Sequence, residues 1–329
     1  MVETKSREQK QNLKEQVKKI TEKLEQGIRE LYCSESYQNY LKVMSRFHHY
    51  SINNSVLIAM QMPNATYVAG YHAWQNQFGR QVLKGQKGIR ILAPVPYTKK
   101  KQKSDSEEEQ DTKTEETEQR LAGFRVVSVF DISQTEGKEL PHFGISNLPG
   151  DVLDYEKFIR ILIECCPVPI TFEEHLGGAK GCFYRGENRI AVLANMSEVH
   201  TVKTLIHEMA HEKMHANHGV EEKSDQIDRN TKEVEAESVA YTVCQHFGID
   251  TGEYSFGYIA SWSGGKELTQ LKESLERIRC NAAEMIDLIE QRFLSLEKQR
   301  PSLLEKLAKN ETKQKYQISH ENMNQERQR

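Results

Sequence analysis

Acidic side chains are missing from one long stretch of this 329-residue chain: residues 36–103 contain no aspartate and no glutamate. The whole chain has 48 acidic residues and a net charge of −3, so about ten acids would be expected in a window of this length. Because a surface without acids attracts polyanions, the absence indicates an anionic partner. The window also interleaves cations with aromatic rings, which is how single-stranded nucleic acid is bound without sequence preference.

Not every aromatic residue of that window is expected to reach a partner. Tyr37, Tyr40, Met44 and Phe47 recur at helical spacing. Side chains that share one face of an amphipathic helix normally pack in a core. These four are therefore predicted to be buried.

Cysteines at C-x-x-C spacing and long apolar runs are also missing. The six cysteines are scattered and form no C-x-x-C pair, which argues against a structural zinc knuckle and predicts reduced thiols. No run approaches the 18 or so apolar residues of a membrane-spanning helix. Residues 1–19 lack the apolar segment of a signal peptide. We therefore expect a cytoplasmic protein with no membrane partner.

The chain does contain an H-E-x-x-H motif, formed by His207, Glu208 and His211 in a predicted helix at residues 197–217. A helix turns once every 3.6 residues, so the two histidines lie on one face and can bind one metal ion. Glu208 would reach a water beside that ion. In zincin metallopeptidases two such imidazoles hold Zn²⁺, and the glutamate is the general base of peptide hydrolysis. The motif thus predicts one zinc ion per chain, with Glu208 as the catalytic residue.

A hydrolytic zinc site needs a third protein ligand and one open position. Residues 233–240 (EVEAESVA) resemble the E-x-x-A-[acid/Asn]-x-x-A helix of gluzincin families. The resemblance implies that Glu233 is the third ligand and that Glu237, one turn later, orients a motif histidine. Those families more often have Asp or Asn at the position of Glu237.

Other nearby side chains are poor ligands. His215 continues the four-residue series, but it lies about 12 Å along the helix axis from the first motif histidine. Glu235 would point about 160° away from Glu233 on a regular helix. Met214 and Asn217 occupy positions at which the metzincin pattern requires glycine and histidine.

Two parts of the predicted peptidase mechanism stay open. An oxyanion donor is required, and the sequence does not choose among Tyr241, His246, Tyr254 and Tyr258. We expect the strand at residues 189–194 to offer its edge to an extended peptide substrate.

Apolar periodicity and polar breaks predict an α+β fold of two domains. If residues 88–95 pair with residues 123–132, the polar stretch between them is the tip of a long hairpin. That stretch has too few apolar residues to fold and is predicted to be disordered. The predicted organisation is a nucleic-acid-binding module at 1–132 with its disordered excursion at 99–119, a linker at 133–150, a zincin-like domain with a long C-terminal helix at 151–298, and a tail at 299–329.

The N-terminal part resembles a known family. Residues 50–58 (YSINNSVLI), 67–70 (YVAG), Trp74 and 79–94 (GRQVLKGQKGIRILAP) are similar to the N-terminal domain of ArdC-type antirestriction proteins. That family joins a single-stranded-DNA-binding domain to a zincin-like metallopeptidase domain and is carried on conjugative and other mobile elements. The resemblance implies binding of single-stranded DNA and protection of incoming DNA from restriction. The candidate DNA contacts are Arg46, Tyr50, Asn54, Trp74, Arg80, Lys84, Lys87 and Arg90.

Three functions follow from these patterns. The leading hypothesis is a single-stranded-DNA-binding antirestriction protein with a zinc metallopeptidase domain that acts on a protein or peptide. A second is a non-enzymatic protein that coats DNA and uses zinc only for structure. A third is a regulatory metalloprotease that cleaves one protein, such as a repressor of a mobile element.

Overall fold

The computed structural model describes residues 2–32, 34–100, 117–140, 152–216, 227–249 and 256–298. Its fold class is α+β, as predicted. The helices are α1 (Val2–Leu31), α2 (Ser34–Arg46), α3 (Ile52–Gln61), α4 (Tyr71–Asn76), α5 (Val152–Cys165), α6 (Glu198–His215), α7 (Arg229–His246), α8 (Ile259–Ser263) and α9 (Leu268–Lys298). The strands are β1 (Val68–Gly70), β2 (Arg80–Val82), β3 (Ile89–Lys100), β4 (Thr117–Asp131), β5 (Thr135–Gly137), β6 (Ile170–Glu173), β7 (Gly181–Tyr184) and β8 (Arg189–Leu193).

The first three helices pack near an antiparallel sheet of order β1-β4-β3. Helix α3 begins after Ser51, whose hydroxyl accepts a hydrogen bond from the Asn54 N–H, and a following proline prevents its continuation. Val43 and Ile58 of the helices pack against Ile91 of the sheet in a small buried cluster. This packing fixes the surface on which the acid-free window is displayed.

The long hairpin is confirmed. Strand β3 pairs antiparallel with β4 from Ile89 opposite Val129 to Lys100 opposite Thr117. Residues 99–100 and 117–119, which the sequence analysis placed in the disordered excursion, are therefore in strands. The remainder of that excursion, residues 101–116, lies outside the described residues.

The predicted linker begins too early. The Asp131 carboxylate accepts from the Ser133 N–H, the Gln134 side chain accepts from the Asp131 N–H, and a 3-10 turn follows. Strand β5 then pairs antiparallel with β2. Residues 133–137 thus belong to the N-terminal part, because the strand pairing ties them to it. Residues 141–151, the rest of the predicted linker, are outside the described ranges, as is the tail at 299–329.

The second sheet has the order β6-β8-β7, with β6 parallel and β7 antiparallel to β8. Ile190, Ala191 and Val192 of β8 are fully buried. The expectation that residues 189–194 form a free edge is therefore wrong, because β8 is hydrogen-bonded on both sides. Its continuous apolar run is the pattern of a central strand. Helix α6 packs against β8 and against β7, which is an edge strand of this sheet.

One hydrophobic core runs through both halves of the chain. The Tyr37 hydroxyl lies 2.8 Å from Ser238 Oγ of α7, and the Tyr32 hydroxyl donates to the Leu271 carbonyl of α9 at 3.1 Å. The predicted core set is confirmed, since all its members are buried: Tyr37, Tyr40, Met44 and Phe47. The division into two domains stays a prediction.

Within the described ranges, no helix combines the length and the apolar character needed to cross a membrane. The cysteines described there carry free thiols, as expected: Cys165, Cys166, Cys182, Cys244 and Cys280.

Candidate metal centre

Helix α6 presents the two motif histidines. It begins at a capped end, where the Ser197 hydroxyl accepts from the His200 N–H and Glu198 occupies the first turn, an arrangement that favours helix initiation. His207 and His211 follow one turn apart, with their Nε2 atoms 3.0 Å from each other. The helix thus directs two imidazole nitrogens at one position.

Helix α7 brings Glu233 to the same position. Its Oε2 atom lies 3.6 Å from His207 Nε2 and 3.4 Å from His211 Nε2. Tetrahedral zinc with bonds of about 2.0–2.1 Å holds its ligand atoms about 3.3 Å apart. The three separations are close to that value, so this donor set fits a metal ion.

Glu237 lies behind the first histidine. Its Oε2 atom is 3.1 Å from His207 Nδ1. Because a carboxylate attracts an N–H, the proton of a neutral His207 belongs on Nδ1, and the lone pair then lies on Nε2 toward Glu233. The structure thus places Glu237 where the sequence resemblance implied.

A chain of buried groups lies behind the second histidine. His211 Nδ1 is 3.2 Å from His215 Nδ1, and His215 Nε2 is 3.4 Å from Glu235 Oε2. Glu235 is fully buried and accepts from Arg277 and from the Ser274 hydroxyl. These contacts could not be predicted from the sequence, because they join three helices and no local spacing of residues indicates them.

The protonation of His215, beside the Glu235 carboxylate, decides the tautomer of His211. Burial lowers the pKa of His215 despite the Glu235 carboxylate, which favours the neutral imidazole. Its Nε2–H donates to Glu235, which leaves Nδ1 as an acceptor for the Nδ1–H of His211. The lone pair of His211 is therefore on Nε2, the atom that faces His207 and Glu233.

The site also favours positive charge. Burial lowers the pKa of His207, but Glu233 and Glu237 outweigh burial and raise it to about 9. Hydrogen bonds from His207 and His211 hold the pKa of Glu233 far below its usual range. A divalent cation would interact with the same carboxylates in place of a proton.

Glu208 lies against strand β7. Burial raises its pKa, while His207 and a hydrogen bond from the Phe183 N–H oppose that rise. A Cβ at Gly181 would lie 2.8 Å from Glu208 Cγ and 2.5 Å from Thr204 Cγ2. Only glycine leaves room for Glu208 here. Sequence reasoning missed this contact because it joins a strand to a helix.

The centre opens into a cleft of about 690 Å³. Besides the three glutamates of the centre, the charged residues that line it are Lys180, Arg185, Lys203 and Arg229. All four are cationic. Around the acidic centre, these cations favour a segment that carries negative charge.

Among the oxyanion candidates, Tyr258 interacts electrostatically with two carboxylates of the centre. Burial raises its pKa, and the charges of Glu237 and Glu233 raise it further. Tyr241 is instead buried in the core, and His246 is hydrogen-bonded to Glu290. Tyr254 lies outside the described residues.

The candidate DNA contacts divide into two groups. Lys84, Lys87 and Arg90 are exposed on the segment that leads into β3. That segment is held by its backbone, since the Gln134 amide donates to the Lys87 carbonyl and the Gln61 amide donates to the Arg90 carbonyl. Its cations are thus displayed on a fixed support.

The other candidates have contacts within the fold. Trp74 is 1% exposed and donates from Nε1 to a backbone carbonyl, so its ring cannot stack on a base, and that prediction is corrected. The Asn54 amide pairs with both backbone groups of Leu92. Arg80 donates to backbone carbonyls near β5. Arg46 is exposed and donates to the Ala65 carbonyl, while Tyr50 is half-buried.

The N-terminal part of the chain matches a known protein family. Residues 10–130 match the family model of the N-terminal domain of anti-restriction factor ArdC. The uncharacterized protein pXO2-81 of Bacillus anthracis is 26% identical over 328 residues, which cover 88% of this chain and 54% of that protein. The chain thus spans about half the length of that curated relative.

Two solved structures are also similar to this chain. Both are crystal structures of the antirestriction ArdC protein from the R388 plasmid, at 18% identity. The metal-free form has a TM-score of 0.46 and covers 74% of this chain and 85% of that one. The Mn(II)-bound form has a TM-score of 0.43, with 77% and 97% covered.

Proposed function

We propose that this chain is an ArdC-type protein, because residues 10–130 match the family model of the N-terminal domain of anti-restriction factor ArdC. On this premise it binds single-stranded DNA, protects it from restriction and cleaves peptides at a zinc centre. The observation that carries the peptidase part is the convergence of three ligand atoms, on His207, His211 and Glu233, within 3.6 Å of one another. Glu208 adjoins them on the same helix.

The proposed reaction is hydrolysis of a peptide bond. Zn²⁺ held by the two imidazoles and the carboxylate would lower the pKa of a water and polarise the substrate carbonyl. Glu208 accepts the proton of the attacking water and delivers it to the leaving nitrogen. The Phe183 N–H holds the Glu208 carboxylate in place, and the Tyr258 hydroxyl donates to the developing oxyanion. An extended substrate pairs with β7, and the cationic cleft favours acidic side chains.

The peptidase test uses Glu208→Gln, which keeps the shape of the side chain but removes the base. We expect a loss of peptide cleavage of about 10²–10⁴-fold with zinc content unchanged, whereas His207→Ala should also lose the zinc ion of this centre. Glu198→Gln, an exposed substitution at the start of the same helix, is the matched control. Equal cleavage by wild type and Glu208→Gln would contradict the proposal.

The DNA-binding test uses the full-length chain, because the core is shared between its two halves. Lys84→Glu, Lys87→Glu and Arg90→Glu together should weaken binding of single-stranded DNA. Each lost phosphate contact should also reduce the slope of log affinity against log salt by about 0.7. The control is Lys14→Glu, Lys18→Glu and Lys23→Glu on exposed positions of α1, which changes the net charge equally. Equal effects of the two triple variants would show that this segment is not the binding surface.

Coating without catalysis is the second candidate. It is favoured by the exposed cations Lys84, Lys87 and Arg90, which lie on a segment outside the lining of the cleft. A restriction-protection assay separates the two functions. If Glu208→Gln protects DNA as well as wild type does, protection is due to coating and the peptidase serves another purpose. A regulatory protease instead predicts one cellular protein that accumulates with Glu208→Gln.

A further inference from the structure

A second group of metal-binding side chains lies at the turn after α2. The Tyr50 N–H donates to the Phe47 carbonyl at 2.8 Å, so His48 and His49 occupy the two central positions of a β-turn. Asp287 of α9 faces this turn. Its Oδ1 atom lies 3.5 Å from His48 Nε2 and 3.3 Å from His49 Nε2.

The buried histidine of this group lacks hydrogen bonds. The His48 side chain is 9% exposed, and in the part of the chain that the structure describes neither of its ring nitrogens has a hydrogen-bond partner. Buried polar groups are normally paired, because an unpaired one has lost its water without compensation. A ligand at Nε2 would account for the orientation of this ring toward Asp287.

His246 packs against His48 but is not a ligand in this group. Its ring lies edge-on against His48, with 5.0 Å between centroids. Its Nδ1 atom is 2.7 Å from the Ser45 carbonyl and its Nε2 atom is 2.8 Å from Glu290 Oε1. Both nitrogens therefore face oxygen acceptors already. Glu290 adds a second carboxylate one helical turn from Asp287, which favours a cation nearby.

We propose that His48, His49 and Asp287 form a second metal site, which binds a divalent transition-metal ion such as Zn²⁺, Co²⁺ or Ni²⁺. The three ligand atoms lie within 4.8 Å of one another, and both measured separations are close to the roughly 3.3 Å between ligands of tetrahedral zinc. Two imidazoles select a borderline ion over Mg²⁺ or Ca²⁺. The His49 side chain is 69% exposed, so a water completes the coordination from the solvent side.

This site is separate from the metal centre in the cleft. Glu233 and His246 lie thirteen residues apart on α7, or about 20 Å along its axis. The second site joins the turn after α2, in the DNA-binding half, to α9, in the half that carries the cleft. A bound ion would thus cross-link the two halves of the chain and stabilise their contact.

The test counts the zinc ions bound to the whole 329-residue chain. The protein is equilibrated with zinc in the presence of a competing chelator, and the bound ions are counted by mass spectrometry. His207→Ala with His211→Ala removes the cleft site and should leave one zinc per chain. Adding either His49→Ala or Asp287→Asn should remove that ion. The increase in melting temperature that zinc gives should be lost with it. These positions are at least partly exposed, unlike His48, so the variants should fold, and circular dichroism checks this. His72→Ala, an exposed histidine outside both groups, is the matched control and should keep the ion.

The outcomes separate this site from the proposed peptidase centre. One zinc in the His207→Ala, His211→Ala protein that is lost with His49→Ala and with Asp287→Asn supports the second site, whatever the peptidase assay gives. Absence of zinc from that double variant, or zinc that survives both further substitutions, overturns the proposal. Titration with Co²⁺ provides an independent readout, because coordination by two imidazoles and a carboxylate changes its visible absorption.

Discussion

The neutral imidazole of His215 determines which nitrogen of His211 is available to a metal. His215 Nδ1 accepts from His211 because its own Nε2–H is directed at Glu235, 3.4 Å away. Groups that orient a ligand from behind contribute to affinity without touching the ion. His215 is such a group, although the spacing of the motif suggested only that it was too distant to be a ligand.

Replacing His215 with leucine should therefore weaken metal binding while leaving all three ligands in place. We expect a loss of affinity of about 10–100-fold, measured by chelator competition in an Asp287→Asn background so that only the cleft site binds the ion. His175→Leu, an exposed histidine, is the control. Unchanged affinity in His215→Leu would mean that His211 keeps its tautomer without this contact.

Gly181 sets the position of Glu208, the proposed general base. Gly181→Ala would bring a methyl group within 2.8 Å of Glu208, so the carboxylate must move. Because a displacement of about 1 Å can cost about 10²-fold in rate, we expect a fall of that order in cleavage with metal content unchanged. Gly186→Ala is the matched control, since an added Cβ there meets nothing within 4 Å. Equal rates for the two variants would refute the contact.

At the scale of elements, α7 must be positioned accurately on two sides. It carries Glu233 and Glu237 to the cleft and Glu235 to α9. Its start is fixed by Asp228, which accepts from the Thr231 N–H at 2.9 Å. The pKa of Asp228 is lowered to about 2, chiefly by the hydrogen bond from the Thr231 hydroxyl, while burial opposes this shift.

Asp228→Ala should destabilise the protein by about 1 kcal/mol at pH 7, the usual cost of losing an N-cap. The folded pKa is below the ordinary value of 3.8, so this stability is present above pH 3.8 and is lost as the pH falls through 2. The difference in urea midpoint between wild type and Asp228→Ala should therefore shrink from pH 5 to pH 2. Asp228→Asn keeps an acceptor and should remain near wild type at pH 7. A difference that grows toward acid pH would contradict this assignment.

At the scale of the whole molecule, local patterns predicted the elements better than their contacts. The 3.6-residue period and the Ser197 cap located α6, and the apolar pattern around residues 88–95 and 123–132 located the β3–β4 hairpin. Composition could not reveal which aromatic of the acid-free window is buried, and Trp74 is in fact in the core. The contacts of Gly181 with Glu208 and of His215 with Glu235 depend on tertiary packing, which no spacing encodes.

The continuous core is expected to make the two halves of the chain unfold together. The chain has two tryptophans: Trp74 donates to the Phe130 carbonyl in the N-terminal half, and Trp262 lies 5.6 Å from the Tyr32 ring and donates to Thr231 Oγ1 in the other half. Because Tyr32, Tyr37 and Tyr40 are buried against helices of the second half, neither half keeps its core when the other unfolds. We therefore expect one cooperative transition.

Single-tryptophan proteins test this directly. Trp262→Phe leaves Trp74 as the fluorescent reporter of the N-terminal half, and Trp74→Phe leaves Trp262 as the reporter of the other half. In urea, the fluorescence midpoint of each protein should coincide with its own far-UV circular dichroism midpoint, because both probes follow the same all-or-none event. The comparison within each protein removes any difference in stability between the two variants. A Trp74 transition that precedes the loss of helical signal would instead show that the N-terminal half unfolds as an independent domain.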